Sequence, residues 1–287
     1  MSLKEVMNMD YIKLSNNLEV PQLGFGVFQI APEDTKEAVK KAIEVGYRHF
    51  DTAQAYFNET QVGEAIEESG IDREEFFITT KVWHSSHGYE ETKKACEESL
   101  NKLKTDYIDL YLIHQNIGDI FATWRALEDL YDEGKVKAIG VCNFTPSRFT
   151  NLSLHSKIKP MVNQIEINPF YQQDSQEKFY EKYDAVIESW GPLAEGKNNI
   201  FSNPILKEIG EKYDKTVAQV ILRWILQRGI IVFPKSVKKE RMIENFNIFD
   251  FELSSEDMEK IKELETGNPI ANIDDPMFIE AISKYGV

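Results

Sequence analysis

Short apolar runs alternate with longer amphipathic ones eight times along this chain, and that alternation restricts its fold more than any other feature. The apolar runs fall at residues 23–27, 49–51, 76–82, 108–114, 136–142, 161–165, 185–190 and 230–233. Helical periodicity fills the stretches between and after them, at 33–44, 59–68, 89–103, 120–133, 146–156, 175–183, 216–227 and 239–247. Near-continuous apolar strands such as Tyr107-Ile108-Asp109-Leu110-Tyr111-Leu112-Ile113 suit a sheet covered on both faces. Helices between parallel strands suit right-handed crossovers. The pattern predicts an α/β fold, a (β/α)8 TIM barrel, as one domain over residues 1–287. A turn composition at Ser15-Asn16-Asn17, between extended residues 11–14 and 18–20, predicts an N-terminal β-hairpin, and extra C-terminal helices complete the fold. A doubly wound open sheet is the competing topology. Gly24-Phe25-Gly26 after the first strand lacks the third glycine of a dinucleotide fingerprint, which counts against it.

A net charge of −15 disfavours nucleic acid and anionic membranes as partners, since both would repel the chain. No apolar run has the length of a spanning helix, and residues 1–10 lack the basic head and apolar stretch of a secretory signal. Cys96 and Cys142 stand far apart, with no metal or redox spacing, as free thiols would in a reducing cytoplasm. A cytoplasmic monomer acting on a small molecule is the expectation.

In a barrel of this kind, chemistry belongs where strands end and helices begin. Asp51 ends the second candidate strand, Tyr56 follows five residues later, Lys81 nears the end of the third and His114 ends the fourth. Singly, each has an ordinary structural role open to it: a turn cap, a packed aromatic, a solvated amine, a hydrogen-bonded core histidine. On one rim they form a proton-transfer unit. A cation at Lys81 stabilises a Tyr56 phenolate, Asp51 holds that lysine charged, and His114 orients a carbonyl oxygen. Hydride must then come from a cofactor. The turn Pro234-Lys235-Ser236-Val237-Lys238-Lys239-Glu240-Arg241 gathers four cations in an acidic protein, after the last strand and before a helix. That is a recurrent phosphate position in barrels, and arginine's fork suits the 2′-phosphate of NADP.

Three ordered motifs carry a resemblance to the aldo-keto reductase family along nearly the whole chain. Gly46-Tyr47-Arg48-His49-Phe50-Asp51-Thr52-Ala53, with Tyr56, Glu59 and Gly63, is similar to the first family signature. Val136-Lys137-Ala138-Ile139-Gly140-Val141-Cys142-Asn143-Phe144 is similar to the second, and Pro234-Lys235-Ser236 through Arg241, Glu244 and Asn245 to the third. The chain most resembles the compact microbial subgroup of 2,5-diketogluconate and methylglyoxal reductases. That resemblance implies NADPH/NADP+ as cofactor, a small carbonyl substrate, and Tyr56 as general acid tuned by Asp51 and Lys81. It places Gly26, Val27, Asp51, Cys142, Asn143 and Gln164 near the nicotinamide, with Trp190 stacked on its ring. Gly191, Leu193, Gly196 and Lys197 fall to the pyrophosphate; Lys235, Ser236, Val237 and Arg241 to the 2′-phosphate; Glu244 and Asn245 to the adenine. Phe28, Tyr56, Trp83 and His114 would line the substrate pocket.

Four departures stand out. Cys142 occupies a position where serine is commoner, Gln115-Asn116 follow His114 where Trp-Pro is usual, Phe233 replaces an aliphatic residue, and the 190–203 span and the tail after Pro269 are short. Short loops predict an open pocket. His84-x-x-His87 lacks the further ligands of a tetrahedral metal site, so no metal is expected. Phe278, Ile279 and Ile282 have packing spacing and predict a tail helix that docks rather than recognises. The competing functional readings are a non-catalytic NADP(H) sensor on the same scaffold and a lyase or isomerase using Lys81 as a Schiff-base amine.

Overall fold

The computed structural model describes residues 9–286, so most of the N-terminal segment read above for a secretory signal lies outside the described residues. Strands β1 (Tyr11–Lys13) and β2 (Glu19–Pro21) form the expected antiparallel hairpin, with Ile12 opposite Val20. Asn17 takes a φ of 66° in its turn, a left-handed conformation that asparagine enters more readily than most residues.

Eight parallel strands follow: β3 (Phe25–Gly26), β4 (His49–Asp51), β5 (Phe77–Val82), β6 (Leu110–Ile113), β7 (Ile139–Cys142), β8 (Val162–Glu166), β9 (Val186–Trp190) and β10 (Ile231–Val232). They pair in chain order. Leu23 bridges Val232 in parallel, and the Gly24 amide donates to the Val232 carbonyl at 2.9 Å, so the first and last strands are joined. This curled sheet, with a helix after each strand, is consistent with the expected (β/α)8 architecture.

The helices are α1 (Pro32–Val45), α2 (Glu59–Glu68), α3 (Tyr89–Leu103), α4 (Ile120–Asp132), α5 (Pro146–Leu154), α6 (Asp174–Glu181), α7 (Pro204–Tyr213), α8 (Val217–Gln227), α9 (Lys239–Phe246), α10 (Ser255–Lys262) and α11 (Pro276–Ile282). Of these, α7 was not anticipated. Its start is nonetheless written in the chain: Pro204 occupies the first turn, and the Asn203 side chain accepts from the amides of Ile205 and Leu206. Helix α8 opens with a capping box between Thr216 and Gln219 and is buried from Val217 to Leu226, as its nearly unbroken apolar sequence requires.

Inside the sheet, Phe77, Leu110, Leu112, Val162, Ile231 and Phe233 pack into one apolar cluster with Leu14 and Val20 of the hairpin. The hairpin thereby covers the N-terminal ends of the strands. Phe233 lies against Gly24, where an added Cβ would meet its ring at 2.5 Å, and its ring stands 4.8 Å from that of His49. Aromatic bulk is accommodated there because residue 24 has no side chain.

Candidate active site

Side chains alternate across a strand, so residues two apart share a face. The interior apolar set therefore fixes which polar groups point inward near the strand ends. Phe77 places Lys81 inward on β5. Leu110 and Leu112 place His114 inward after β6. Val162 places Gln164 inward on β8, beside Cys142 of β7 and Glu188 of β9 in the strand register. Asp51 enters from β4, two residues beyond His49, whose Nε2 meets the Thr79 hydroxyl at 3.0 Å.

These groups converge. Lys81 Nζ donates to Asp51 Oδ1 at 2.7 Å, to the Thr52 carbonyl at 2.9 Å and to Tyr56 Oη at 3.4 Å. The lysine side chain is 0% exposed and that of Asp51 7%, so water screens the pair little. Burial opposes charging Lys81, but Asp51 and the Tyr56 hydroxyl outweigh it and hold its pKa above the usual lysine range. At Tyr56 burial pushes the phenol pKa up, and Lys81 opposes that rise without reversing it. Tyr56 is therefore a protonated phenol at neutral pH. His114 is also neutral, because burial and then the Lys81 charge hold its imidazole well below the usual range. Its ring lies 5.5 Å from that of Tyr56 and 4.9 Å from that of Trp83. One N–H remains for donation in either tautomer.

A cavity of about 970 Å³ opens over these strand ends. Asp51, Tyr56, Trp83, His114 and the half-exposed Phe28 line one part of it, with the Phe28 ring 4.9 Å from that of Tyr56. Gly26, Cys142, Asn143, Gln164, Trp190, Gly191, Leu193 and Gly196 continue the wall toward Lys235, Ser236, Arg241, Glu244 and Asn245. Asn143 takes a φ of 60°, accepts from the Trp190 indole at 2.9 Å and donates to the His114 carbonyl at 3.3 Å. Burial pushes the Cys142 thiol pKa far up, so it faces the cavity uncharged. Asn116, at one of the departures noted above, donates to the Asn143 carbonyl at 2.6 Å and so supports the second motif.

The basic turn is not uniform. Lys239 pairs with Glu44 of α1 at 2.5 Å, whereas Lys235 and Arg241 line the cavity without an ion pair among the described residues. Unneutralised cations on a cavity wall, in a chain of net charge −15, fit a phosphate-bearing cofactor. Glu244 accepts from the Thr216 hydroxyl at 2.7 Å.

Several of the residues singled out above lie apart from the cavity wall. Val27 is fully buried behind the cavity, its amide donating to the Asp51 carbonyl at 3.1 Å. Lys197 pairs with Glu195, itself on the cavity wall, at 2.9 Å, and neither Lys197 nor exposed Val237 lines the cavity. Lys81 sits behind the wall and acts through Asp51 and Tyr56. The tail does more than dock: the Trp83 indole donates to the Tyr285 carbonyl at 2.6 Å, His84 Nε2 lies 2.8 Å from the Ile282 carbonyl, and Phe278, Ile282 and Tyr285 form cavity wall. The pocket is covered on that side rather than open. His87 Nδ1 lies 2.6 Å from the Ile117 carbonyl, so the two histidines engage separate backbone carbonyls. Sequence reasoning also passed over Glu188, although its place two residues before Trp190 assigns it to the same face.

Polar groups gathered at the C-terminal ends of eight parallel strands, around a deep cavity, define an α/β protein with an enzyme-type site. The chain belongs to the aldo/keto reductase family, whose model matches residues 22–266. It is similar to glyoxal reductase of Bacillus subtilis (strain 168), at 49% identity over 257 residues covering 89% of this chain and 92% of the relative. It is also similar to the 9,11-endoperoxide prostaglandin H2 reductase of Trypanosoma cruzi (strain CL Brener), at 47% identity over 277 residues covering 95% and 98%. A crystal structure of a Gox0644 variant in complex with NADPH matches with a TM-score of 0.88 at 39% identity, covering 93% of this chain and 98% of that one.

Proposed function

We propose that this chain is an NADPH-dependent reductase of aldehydes and ketones, folded as one (β/α)8 domain over residues 1–287 and acting as a cytoplasmic monomer. The observation that carries the reading is the buried Lys81–Asp51 pair in contact with the Tyr56 hydroxyl, at the wall of a cavity that continues to two cations with no ion pair among the described residues. NADPH, when bound, supplies hydride to the carbonyl carbon. Lys235, Ser236 and Arg241 would hold its 2′-phosphate, and Trp190, Asn143 and Gln164 would flank its nicotinamide. Tyr56 gives its proton to the carbonyl oxygen, while the ammonium of Lys81 stabilises the phenolate left behind. His114, kept neutral, donates one N–H to the same oxygen and orients it.

The wall built by Phe28, Trp83, Phe278, Ile282 and Tyr285 carries no charge. It supports uncharged small carbonyls as substrates, in line with the glyoxal reductase named among the relatives. A Schiff-base role for Lys81 is disfavoured, because Asp51 keeps the amine protonated and therefore non-nucleophilic. Steady-state NADPH oxidation with a panel of aldehydes tests the reading and separates it from a non-catalytic sensor. Tyr56→Phe should abolish turnover while NADPH still quenches tryptophan fluorescence; near-normal turnover in that variant would overturn the assignment.

A further inference from the structure

We infer that Glu188 is a positioning residue for the proposed reaction: as a neutral carboxyl it shares the Gln164 amide with Asp51, and on ionising it draws that amide away. The inference rests on the reductase reading above. Gln164 Nε2 donates to Asp51 Oδ2 at 2.9 Å and to Glu188 Oε2 at 2.9 Å. Both hydrogens of one nitrogen are thus committed, and the orientation of the amide is fixed from two sides. Asp51 spends its other oxygen on Lys81. Lys81, Asp51, Gln164 and Glu188 therefore form one continuous chain of side chains from β5 to β9, ending on a residue with no other part in the proton transfer.

Glu188 is ill placed to be an anion. It is fully buried, and the Gln164 amide is the sole donor that reaches it; Oε1 meets no partner among the described residues. A carboxylate accommodates about four hydrogen bonds, so the charged form is undersupplied here. The groups facing it are Asp51, which repels a second negative charge, Lys81, which attracts it more weakly, and the uncharged Cys142 thiol; β10 presents Ile231 in register. Burial first, and Asp51 second, push the Glu188 pKa up to about 8. Below that pH, Asp51 is the stronger acceptor for the shared amide. Above it, the Glu188 carboxylate pulls harder on its own hydrogen of the amide, since hydrogen bonds to charged acceptors are about twice as strong as those to neutral ones. The bond to Asp51 then weakens as Gln164 shifts toward Glu188, away from the cavity geometry set at neutral pH.

The test follows kcat/KM for carbonyl reduction by the full chain and by Glu188→Gln, which keeps the shape and removes the ionisation, from about pH 6 to about pH 10. The wild type should lose activity about tenfold through a transition near pH 8, and Glu188→Gln should lack that limb. A limb unchanged in the variant belongs to another group and overturns the inference. A wild type inactive toward every carbonyl would instead overturn the reductase reading. Infrared spectra of wild-type protein carrying 13C-labelled glutamate decide the protonation state without activity or variant. A protonated carboxyl band that fades with a midpoint near pH 8 supports neutral Glu188, and its absence at neutral pH refutes it.

Discussion

Replacing Lys81 by methionine removes the one cation that joins the fold to the chemistry, and the two effects can be sized separately. Asp51 would keep the Gln164 amide but lose the ammonium 2.7 Å away, leaving a nearly buried carboxylate without its counter-charge. Breaking a buried pair on one side costs about 3–5 kcal/mol. A chain of 287 residues unfolds with an entropy of about 0.6 kcal/mol/K. The melting temperature should therefore fall by roughly 5–8 °C. In the double variant Asp51→Asn, Lys81→Met no charge is stranded, so much of that loss should be recovered.

The kinetic effect has a different origin. A unit positive charge 3.4 Å from the Tyr56 oxygen stabilises a phenolate by about 5 kcal/mol at an effective dielectric constant of about 20. Removing it should lower kcat by about 10³–10⁴-fold, with a much smaller change in NADPH affinity. The double variant should not regain activity, since neutralising Asp51 restores no cation at the phenol. Calorimetry and steady-state kinetics on the four proteins of the cycle check both statements. A Lys81→Met protein that melts within about 1 °C of wild type, with a double variant no more stable, would mean that the pair is solvated and that the burial reasoning fails.

Two other outcomes follow from the Arg241 and Gly24 environments. Arg241→Ala should weaken NADPH binding by about 10–100-fold while leaving NADH nearly untouched, measured by fluorescence titration of both; an unchanged ratio of affinities would remove the phosphate role. Gly24→Ala should destabilise the fold by about 1–3 kcal/mol in urea unfolding, because its Cβ would meet the Phe233 ring at 2.5 Å, and Phe233→Leu in the same chain should relieve it.

Where a feature depended on local spacing, the sequence revealed it. The bounds of α2 and α3 agree with the periodicity, and the strand ends that carry Asp51, Lys81 and His114 do fall around one cavity. Features that depend on a distant partner stayed hidden. Four clustered cations read as one phosphate site, but Glu44, 195 residues earlier, pairs with Lys239, and of the four only Lys235 and Arg241 lie on the cavity wall. The tail read as a docking helix because nothing in residues 276–282 specifies the Trp83 indole that ties Tyr285 over the cavity. Glu188 is the exception. Its inward direction follows from Trp190 by strand alternation, and an acid on the inner face of an otherwise apolar strand was a sufficient signal.

The balance of effects at Tyr56 bears most directly on mechanism. A lysine beside a tyrosine suggests a lowered pKa and a phenolate ready at neutral pH, which would suit proton abstraction from an alcohol. Inside this cavity burial dominates, and the phenol keeps its proton despite Lys81. The cation then acts late: it contributes little while Tyr56 is neutral and most when the proton has left, which is selective stabilisation of the state that follows transfer. His114 fits the same direction, since a neutral imidazole offers an N–H to an oxygen gaining negative charge without itself competing for the proton. A donor that is protonated at rest and stabilised once deprotonated is set up for the reducing direction near neutral pH. Proton donation from Tyr56 should therefore not fail on the alkaline side: in Glu188→Gln, kcat for reduction should stay flat up to about pH 9. A loss of kcat in that variant with a midpoint below about pH 9 would place the proton on a group other than Tyr56.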